Sequence, residues 1–311
     1  MAAFKQVLER FTTASLLGVD LGSAALKVVE LTQAEGRIIL RHCATAPMTG
    51  EDGGSVLKQL VADAGITSTH TALALASPQV IVKPFQFPSM PKKELHNAIR
   101  LEAEQAVLNG HAIKDMAIDW HTLASSSDET IRGVLSVVPK SVVIARLTTA
   151  KAAGLHPSVV DVEGLALWNA YWTLVGAHES APNMVLLLNI GAKTTNVVIA
   201  KGPDELILVR DLQLGGQALT TDHAQEWLAE VRDSLGYARA HGGLRTLDAV
   251  YVTGGGSDPN VIPLLKSIVS APLTFWNPLD GLALDADSPA IDQSSGPLFA
   301  IAIGLALRHP T

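Results

Sequence analysis

The feature that most constrains the fold of this chain is an internal repeat of two short apolar segments. Val19–Gly22 is followed by Val28-Val29, and Leu188–Gly191 is followed by Val197-Val198. Positions 20, 22 and 28 thus recur as 189, 191 and 197, a constant offset of 169. Each copy has an apolar strand, a glycine turn and a second apolar strand, which is the pattern of a β-hairpin. The sequence therefore predicts a duplicated architecture with one hairpin in each of two domains.

The composition is consistent with two folded cores and excludes several classes of function. The chain has 311 residues, of which 48% are hydrophobic and 17% charged, so it can bury sizeable cores. Its net charge of −7 argues against a general nucleic-acid binder, which needs a basic surface. Cys43 is the single cysteine, so no intrachain disulfide can form and a reducing compartment is expected.

Neither a membrane span nor a secretory signal is expected. The longest strongly apolar runs are Met184–Leu188 and Leu298–Leu307, well short of the ~20 residues that cross a bilayer. The segment Met1–Thr13 lacks the apolar region of a signal peptide. Its large apolar residues at 4, 7, 8 and 11 predict a short amphipathic helix, which either docks on the protein or contacts a membrane surface.

Apolar periodicity predicts alternating strands and helices between and after the hairpins. Strands are expected at residues 37–45, 71–76, 80–86, 116–122, 131–138, 206–209 and 249–253. Helices are expected at 55–65, 91–108, 141–153, 163–175, 224–240, 258–269 and 297–308. The helix at 163–175 is apolar almost all round, as a helix crossing a domain boundary would be. A linker is expected at His178–Pro182.

Two hairpin turns that face each other across a cleft can hold a polyphosphate. A glycine turn brings backbone N–H groups close to phosphate oxygens, because glycine has no Cβ. An acidic residue just before the turn, such as Asp20, can hold the waters of a bound Mg²⁺. A glycine-rich corner at Gly254–Gly256 can accept a purine and its sugar. This pattern resembles that of the actin-like nucleotide-binding superfamily.

The resemblance extends to a particular family, the PilM family of type IV pilus assembly proteins, which are relatives of the cell-division protein FtsA. Each matching segment is weak alone, but their order and spacing together are specific. The segments are Gly18–Leu31, Gln86–Pro88, Leu101–Gln105, Val160–Glu163, Leu188–Thr195, Leu214–Thr220, Thr253–Gly256, Asn277-Pro278 and Ile303–Leu307.

The family resemblance implies an α/β, two-domain actin-like fold, which is a duplicated ribonuclease-H-like fold. Residues 14–82 and 139–178 would form the first domain (1A), and residues 83–138 an inserted lobe of the type called 1C. Residues 183–311 would form the second domain (2A), with a reduced subdomain 2B at about 221–246.

The resemblance also implies a site for ATP and Mg²⁺, with Asp20 as the metal ligand. The positions that match the family's nucleotide site are Asp20, Gly22, Ser23, Lys27, Asn189, Gly191, Ala192, Lys193, Thr194, Gly215, Gly216, Gly254, Gly255 and Gly256. Asp161 and Glu163 are candidates for positioning a water in the cleft. An alternative role for Asp161 is to cap the long apolar helix.

Departures from the family pattern in two places, the second hairpin and the segment after Thr220, predict a degenerate site. Asn189 stands where the family usually has Asp, and an amide cannot support a Mg²⁺–water network as a carboxylate does. Lys193 stands where the family usually has Thr, and its side chain either contacts phosphate or is solvated. Few residues separate Thr220 from Trp227, where the family usually inserts subdomain 2B. We therefore expect weak ATP binding and slow or absent hydrolysis.

The function implied by the resemblance is a cytoplasmic scaffold at the inner-membrane base of a pilus or a type II secretion machine, assembled as a ring or platform of copies. The expected partner is the N-terminal cytoplasmic peptide of a PilN-like bitopic membrane protein. The alternatives are an ATPase switch of the same fold and a small-molecule kinase of the same superfamily. A Walker loop, a histidine metal site and a G-x-S-x-G nucleophile elbow find no support in the sequence, and Cys43 fits an inert core position.

The expected docking surface is a groove between the 1C lobe and the first domain. Val80–Gln86 and Ile131–Val138 would supply apolar walls, beside the helix Pro91–Leu108. An extended peptide can add its backbone to an edge strand of such a lobe and seat apolar side chains in the groove.

Overall fold

The computed structural model describes residues 16–34, 36–48, 50, 52–107, 112–124, 129–176, 184–284 and 292–308. The predicted N-terminal helix and the predicted linker His178–Pro182 lie outside these described residues.

Strands and helices alternate along the described chain as the apolar periodicity predicts. The strands are β1 Leu17–Leu21, β2 Ala25–Ala34, β3 Arg37–Pro47, β4 His70–Leu75, β5 Ile81–Pro88, β6 Met116–Leu123, β7 Thr130–Pro139, β8 His156–Val162, β9 Met184–Ile190, β10 Thr195–Lys201, β11 Leu206–Leu212, β12 Ala249–Thr253, β13 Leu273–Phe275 and β14 Ala283–Leu284. The α-helices are α1 Gly53–Asp63, α2 Lys92–Ala106, α3 Lys140–Ala152, α4 Glu163–Leu174, α5 Gly216–Leu219, α6 Ala224–His241, α7 Val261–Lys266 and α8 Ala300–Ala306.

The repeated segments form two equivalent hairpins, each at the centre of its own sheet. The first sheet has the order β14-β3-β2-β1-β4-β8, and the second has the order β11-β10-β9-β12-β13. In both sheets the hairpin is antiparallel, and a parallel strand, β4 or β12, adds to its first strand. The duplication predicted from the 169-residue offset is therefore confirmed.

Helices cover both faces of the first sheet. One face packs on α1 and α3 through a core that includes Leu17, Val19 and Leu57. The other face packs on α4 and α8, whose apolar side chains form a continuous core with strands of the second sheet. This explains why α4 is apolar almost all round, since it lies between the two sheets.

The second sheet is covered on one face by α6, the helix in the region assigned to a reduced 2B. Its buried residues, including Trp227, Val231 and Leu235, pack in the core of the second sheet. Only four residues separate α5 from α6. Between residues 221 and 246 the described chain thus forms a helix of the second domain's own layer.

A third sheet, of three strands in the order β5-β7-β6, forms the lobe together with α2. Leu95, Ile99 and Ala103 of α2 pack against Phe85 and other apolar side chains on one face of this sheet. The central strand is β7, which is paired on both sides. The predicted wall Ile131–Val138 therefore has no free backbone edge, and the free edges belong to β5 and β6.

The C-terminal part of the described chain corrects two predictions. The assignment of residues 183–311 to the second domain is wrong for its last part, because β14 pairs with β3 and α8 packs on β1 and β2 of the first sheet. The single helix predicted at 297–308 is divided into a 3-10 segment, Gln293–Phe299, and α8. Within the described chain, no helix is both long enough and apolar enough to cross a membrane.

Candidate functional site

The two hairpin turns face one cleft between the domains. Gly22 and Ser23 of the first turn and Gly191, Ala192 and Thr194 of the second turn line the same cavity of about 510 Å³. The cavity lies at the ends of β1 and β9, where each strand reaches its turn. The structure thus brings together the two turns as the sequence predicts.

The first hairpin holds a buried ion pair at the cleft. Asp20 on β1 lies directly opposite Lys27 on β2, and Lys27 Nζ is 2.9 Å from Asp20 Oδ2. The two side chains are 6% and 15% exposed. The other carboxylate oxygen of Asp20, Oδ1, is buried and has no hydrogen-bond partner. A desolvated charge of this kind needs a counter-ion, which Lys27 supplies to Asp20.

The second hairpin holds a pair of amides at the equivalent register. Asn189 on β9 lies opposite Asn196 on β10, and Asn189 Nδ2 donates to Asn196 Oδ1 at 2.7 Å. Asn196 Nδ2 then donates both to Glu163 Oε2 at 2.9 Å and to Asp211 Oδ1 at 2.8 Å. Asn196 therefore connects the second hairpin to the first residue of α4 and to β11.

Glu163 lies at the floor of the cleft and is buried. Burial and, after it, the negative charges of Asp20 and Asp211 together raise the pKa of this carboxyl to about 8, against the opposing hydrogen bond from Asn196. Burial also raises the pKa of Asp211. Near pH 7 most Glu163 side chains therefore carry a proton, which leaves few to act as a general base.

Asp161 is not brought to the cleft. Its Oδ2 accepts a hydrogen bond from Nε of Arg308 at 2.6 Å, and the residue does not line the cavity. The alternative that Asp161 caps α4 is wrong, because Val162 is the residue before the helix and no side chain bonds to the helix N-terminus. Asp161 instead holds the segment after α8 against β8.

The glycine-rich segments pack on one another beside the second turn. A Cβ on Gly215 or Gly256 would overlap the carbonyl oxygen of Gly191, and one on Gly216 would overlap that of Gly256. Gly216 N donates to Gly191 O at 2.7 Å, and Gly256 N donates to Ile190 O at 2.8 Å.

Close packing of backbones accounts for glycine at these positions. Gly254 has in addition a positive φ of 98°. Gly255 lines the cavity beside Leu298. The cavity lining does not include Gly215, Gly216, Gly254 or Gly256.

Lys193 is exposed and does not line the cavity. Several polar residues that the sequence analysis did not single out contribute to the cleft or its network, among them Arg146, Asn196, Asp211 and Gln213. Asn196 was detectable, because it stands 169 positions after Lys27. Arg146, Asp211 and Gln213 come from α3 and from the end of β11, whose approach to the cleft depends on long-range packing.

The residues present fit a magnesium ion held chiefly by a nucleotide. In such sites Mg²⁺ usually keeps several waters and binds one or two carboxylates together with phosphate oxygens. The unpartnered Oδ1 of Asp20 is a suitable carboxylate oxygen beside the first turn. Across the part of the chain that the structure describes, no group of three or more His, Cys, Asp or Glu side chains is arranged to hold a metal alone.

A second and larger cavity, of about 880 Å³, lies between the lobe and the second sheet. Its walls are β5 on one side and β11 with the end of α6 on the other. Arg132 of β7 lies 4.0 Å from Glu205 across it. Ser77, Pro78 and Asp211 line both cavities, so the two are adjacent.

Comparison with known proteins gives a family and a fold. A family model described as "Type IV pilus assembly protein PilM" matches residues 18–233. The chain is similar to a solved PilM–PilN type IV pilus biogenesis complex, with 26% identity and a TM-score of 0.79 over 96% of this chain and 100% of that one. It is similar in fold to the cytoplasmic domain of EpsL, an inner-membrane component of the type II secretion system of Vibrio cholerae, with 13% identity and a TM-score of 0.50 over 94% and 95%. The predicted actin-like fold class is confirmed.

Proposed function

This chain belongs to the PilM family of type IV pilus assembly proteins, and we propose that it is a scaffold that docks the N-terminal cytoplasmic peptide of a PilN-like membrane protein. The observation that carries the proposal is the likeness to a PilM–PilN complex over almost the whole chain. In this role the protein lies on the cytoplasmic side of the inner membrane, attached through its partner, and several copies form the assembly platform.

We place the docking surface on the lobe, at the side that faces the first domain. Of the two free edges of the lobe sheet, β5 faces β11 of the second sheet, whereas β6 faces α3 of the first domain. Lys140 Nζ at the start of α3 donates to Lys114 O at 2.8 Å, just before β6, and fixes the two elements side by side. An extended peptide can pair with β6 and cover α3.

Exposed apolar side chains support this location. Ile118 of β6 is 36% exposed and Ile144 of α3 is 60% exposed, among the large apolar residues that the structure leaves in solvent. Ile118 lies at the free edge of the lobe sheet, on the face that also carries Met116 and Trp120. Neither isoleucine is a member of the apolar cluster around Phe85. A peptide paired with β6 would bury Ile118 under an apolar anchor, and one that also covers α3 would bury Ile144.

The proposal includes a nucleotide site that is weak and does not drive docking. On the second hairpin's side of the cleft, neutral amides of Asn189 and Asn196 stand where the first hairpin has a charged pair. Glu163 beside them is mostly protonated. The second candidate function is an ATP-dependent switch of the same scaffold. The orphan Oδ1 of Asp20 favours it, because a hydrated Mg²⁺ would satisfy that atom.

The experiment is fluorescence anisotropy of a labelled N-terminal peptide from the PilN-like protein encoded beside this chain's gene. We expect a micromolar or lower dissociation constant that added Mg-ATP does not change. Ile118→Asp and Ile144→Asp should each weaken binding at least tenfold, because each puts a charge where an apolar anchor would be buried.

Leu101→Asp is the matched control, since Leu101 is 56% exposed and lies on α2, outside both β6 and α3. It should bind like the unaltered chain. Absence of binding to the unaltered chain would refute the scaffold proposal. Equal binding by all three variants would refute the β6–α3 surface alone. Binding that requires Mg-ATP would favour the switch.

A further inference from the structure

Three cations lie near the two hairpin turns, and they differ in whether they are free to bind an anion. Lys27 is occupied by the ion pair with Asp20 at 2.9 Å. Lys193 is exposed and outside the cavity lining. Arg146 lines the cavity, and among the described residues no carboxylate lies within ion-pair distance of it.

Arg146 extends from α3 to the first turn. Its Nη1 donates to the carbonyl oxygen of Leu21 at 2.9 Å, directly before Gly22. A guanidinium has five N–H donors in a planar fork, so this one bond leaves donors for a second acceptor. The bond orients the cation toward the turn whose glycine gives a phosphate room to approach the backbone.

Among the described residues that line the opposite side of the cleft there is no comparable cation. The second hairpin presents Asn189, whose amide is used by Asn196, and the carboxyls of Glu163 and Asp211 lie next to that pair. A phosphate chain in this cleft would therefore meet positive charge at the first turn and neutral or acidic groups at the second.

We propose that Arg146 is a phosphate-binding residue and that this cleft binds polyphosphates from the side of the first hairpin alone. The ligand class is a polyphosphate anion, either inorganic or the phosphate chain of a nucleoside triphosphate. This inference deepens the weak nucleotide site of the proposed function and rests on it, but it does not depend on peptide docking.

The test is isothermal titration of the full chain with inorganic tripolyphosphate, with Mg-ATP and with adenosine. We expect Arg146→Gln to weaken tripolyphosphate and Mg-ATP binding by about tenfold, which corresponds to one charge-assisted hydrogen bond. Arg146→Lys should lose less, because it retains the charge. Equal losses for the two phosphate ligands identify the phosphate chain as the common element, and a loss with Mg-ATP alone would contradict the proposal.

The matched control is Lys151→Gln, which removes a positive charge from an exposed position at the end of the same helix. It should leave both affinities unchanged. A loss equal to that of Arg146→Gln would mean that the effect is one of net charge, and the proposal would be overturned. Failure of the unaltered chain to bind tripolyphosphate at millimolar concentration would also overturn it.

Arg146 also braces the first turn, so a purely structural role has to be distinguished. In the unaltered chain, tripolyphosphate should protect Arg146 from modification by phenylglyoxal, measured by mass spectrometry. Arg100, 69% exposed on α2, is the internal control and should not be protected. Lack of protection at Arg146 would assign it the structural role. Since these readouts use no peptide, their failure is separable from that of the docking proposal.

Discussion

The first and second hairpins share one backbone plan but differ in the pair that faces the cleft. In the first hairpin Asp20 and Lys27 neutralise each other in a buried ion pair. In the second, Asn189 and Asn196 occupy the same register and pass hydrogen bonds on to Glu163 and Asp211. Equivalent positions are thus occupied by an ion pair in the first domain and by two hydrogen-bonded neutral amides in the second.

The difference reflects a limit on how many carboxyl groups can lie close together in one cleft. Asp20, Glu163 and Asp211 already lie in or beside it, with Lys27 as the counter-ion of Asp20. A fourth carboxyl at position 189 would add another negative charge one amide away from Glu163, whose pKa is already raised to about 8. An amide at 189 avoids that repulsion, at the cost of a weaker metal site.

Breaking the charged pair should have the largest effect. Lys27→Met leaves Asp20 buried without its counter-ion, and we expect the free energy of unfolding to fall by about 3–5 kcal/mol. Urea denaturation measures it. The double variant Asp20→Asn with Lys27→Asn copies the second hairpin's pair and should recover most of the loss. A double variant no more stable than Lys27→Met would show that the two registers are not equivalent.

Measuring the free energy of unfolding across a pH series should separate the contribution of Glu163 from that of the Asn189–Asn196 pair, which bonds to it. Glu163 has a pKa near 4.5 when unfolded and about 8 when folded, so the folded state binds the extra proton between these values. Its contribution to stability is complete below pH 4.5 and is lost as the pH rises to about 8, with a slope of at most about 1.4 kcal/mol per pH unit.

Glu163→Gln removes this titration. From pH 5 to 7 the unaltered chain should therefore lose about 2–3 kcal/mol relative to the variant, as measured by urea denaturation at each pH. The raised pKa of Asp211 acts in the same direction in both proteins and cancels in the comparison. Parallel pH profiles for the two proteins would mean that Glu163 is ionised in the fold.

Removing the amide relay should cost less than removing the ion pair. Asn196→Ala deletes three hydrogen bonds but, unlike Lys27→Met, removes no counter-ion, and we expect a loss of about 2 kcal/mol. Thermal unfolding at pH 7 measures it. Asn169, whose Nδ2 donates to Gly304 O at 2.8 Å away from the cleft, provides an amide control. If Asn196→Ala lowers stability more than Lys27→Met does, the amide pair of the second hairpin contributes more to stability than the ion pair of the first.

Restoring the carboxyl at position 189 should have the smallest effect. Asn189→Asp loses its donor to Asn196, at about 1 kcal/mol, and we expect no gain in ATP turnover. The residue does not rebuild the adenosine side of the site, since only a helix of the second domain lies where the family usually inserts 2B. Phosphate release under saturating Mg-ATP measures it. Turnover that appears in this variant would identify Asn189 as the sole defect.

Local patterns predicted the hairpins, because strand periodicity and the glycine turns lie within a few residues. They also predicted α4 as a helix between domains, since its apolar residues point all round. The short strands β13 and β14 were missed, because a two- or three-residue strand has no period to detect and depends on a distant partner. Strand β8 was not predicted either.

The site residues that belong to the repeated hairpins were predictable from the sequence. Those that reach the site through long-range contacts were not. Asp20, Gly22, Asn189 and Gly191 follow from the offset. Arg146 reaches Leu21 across 125 positions of sequence, and Asp161 pairs with Arg308 across 147, so neither contact has a local signal.

The path of α8 has a consequence for the order in which the protein folds during synthesis. Gly18 of β1 lies so close to α8 that a Cβ would overlap Ala302 O, and Gly304 is packed as closely on Ala166. The face of the first sheet that packs on α4 and α8 therefore lacks part of its cover until residues 300–306 leave the ribosome, after the entire second sheet has been translated. The first sheet therefore completes its core only after the second domain has been synthesised. In the interval, a nascent chain would expose that face to chaperones.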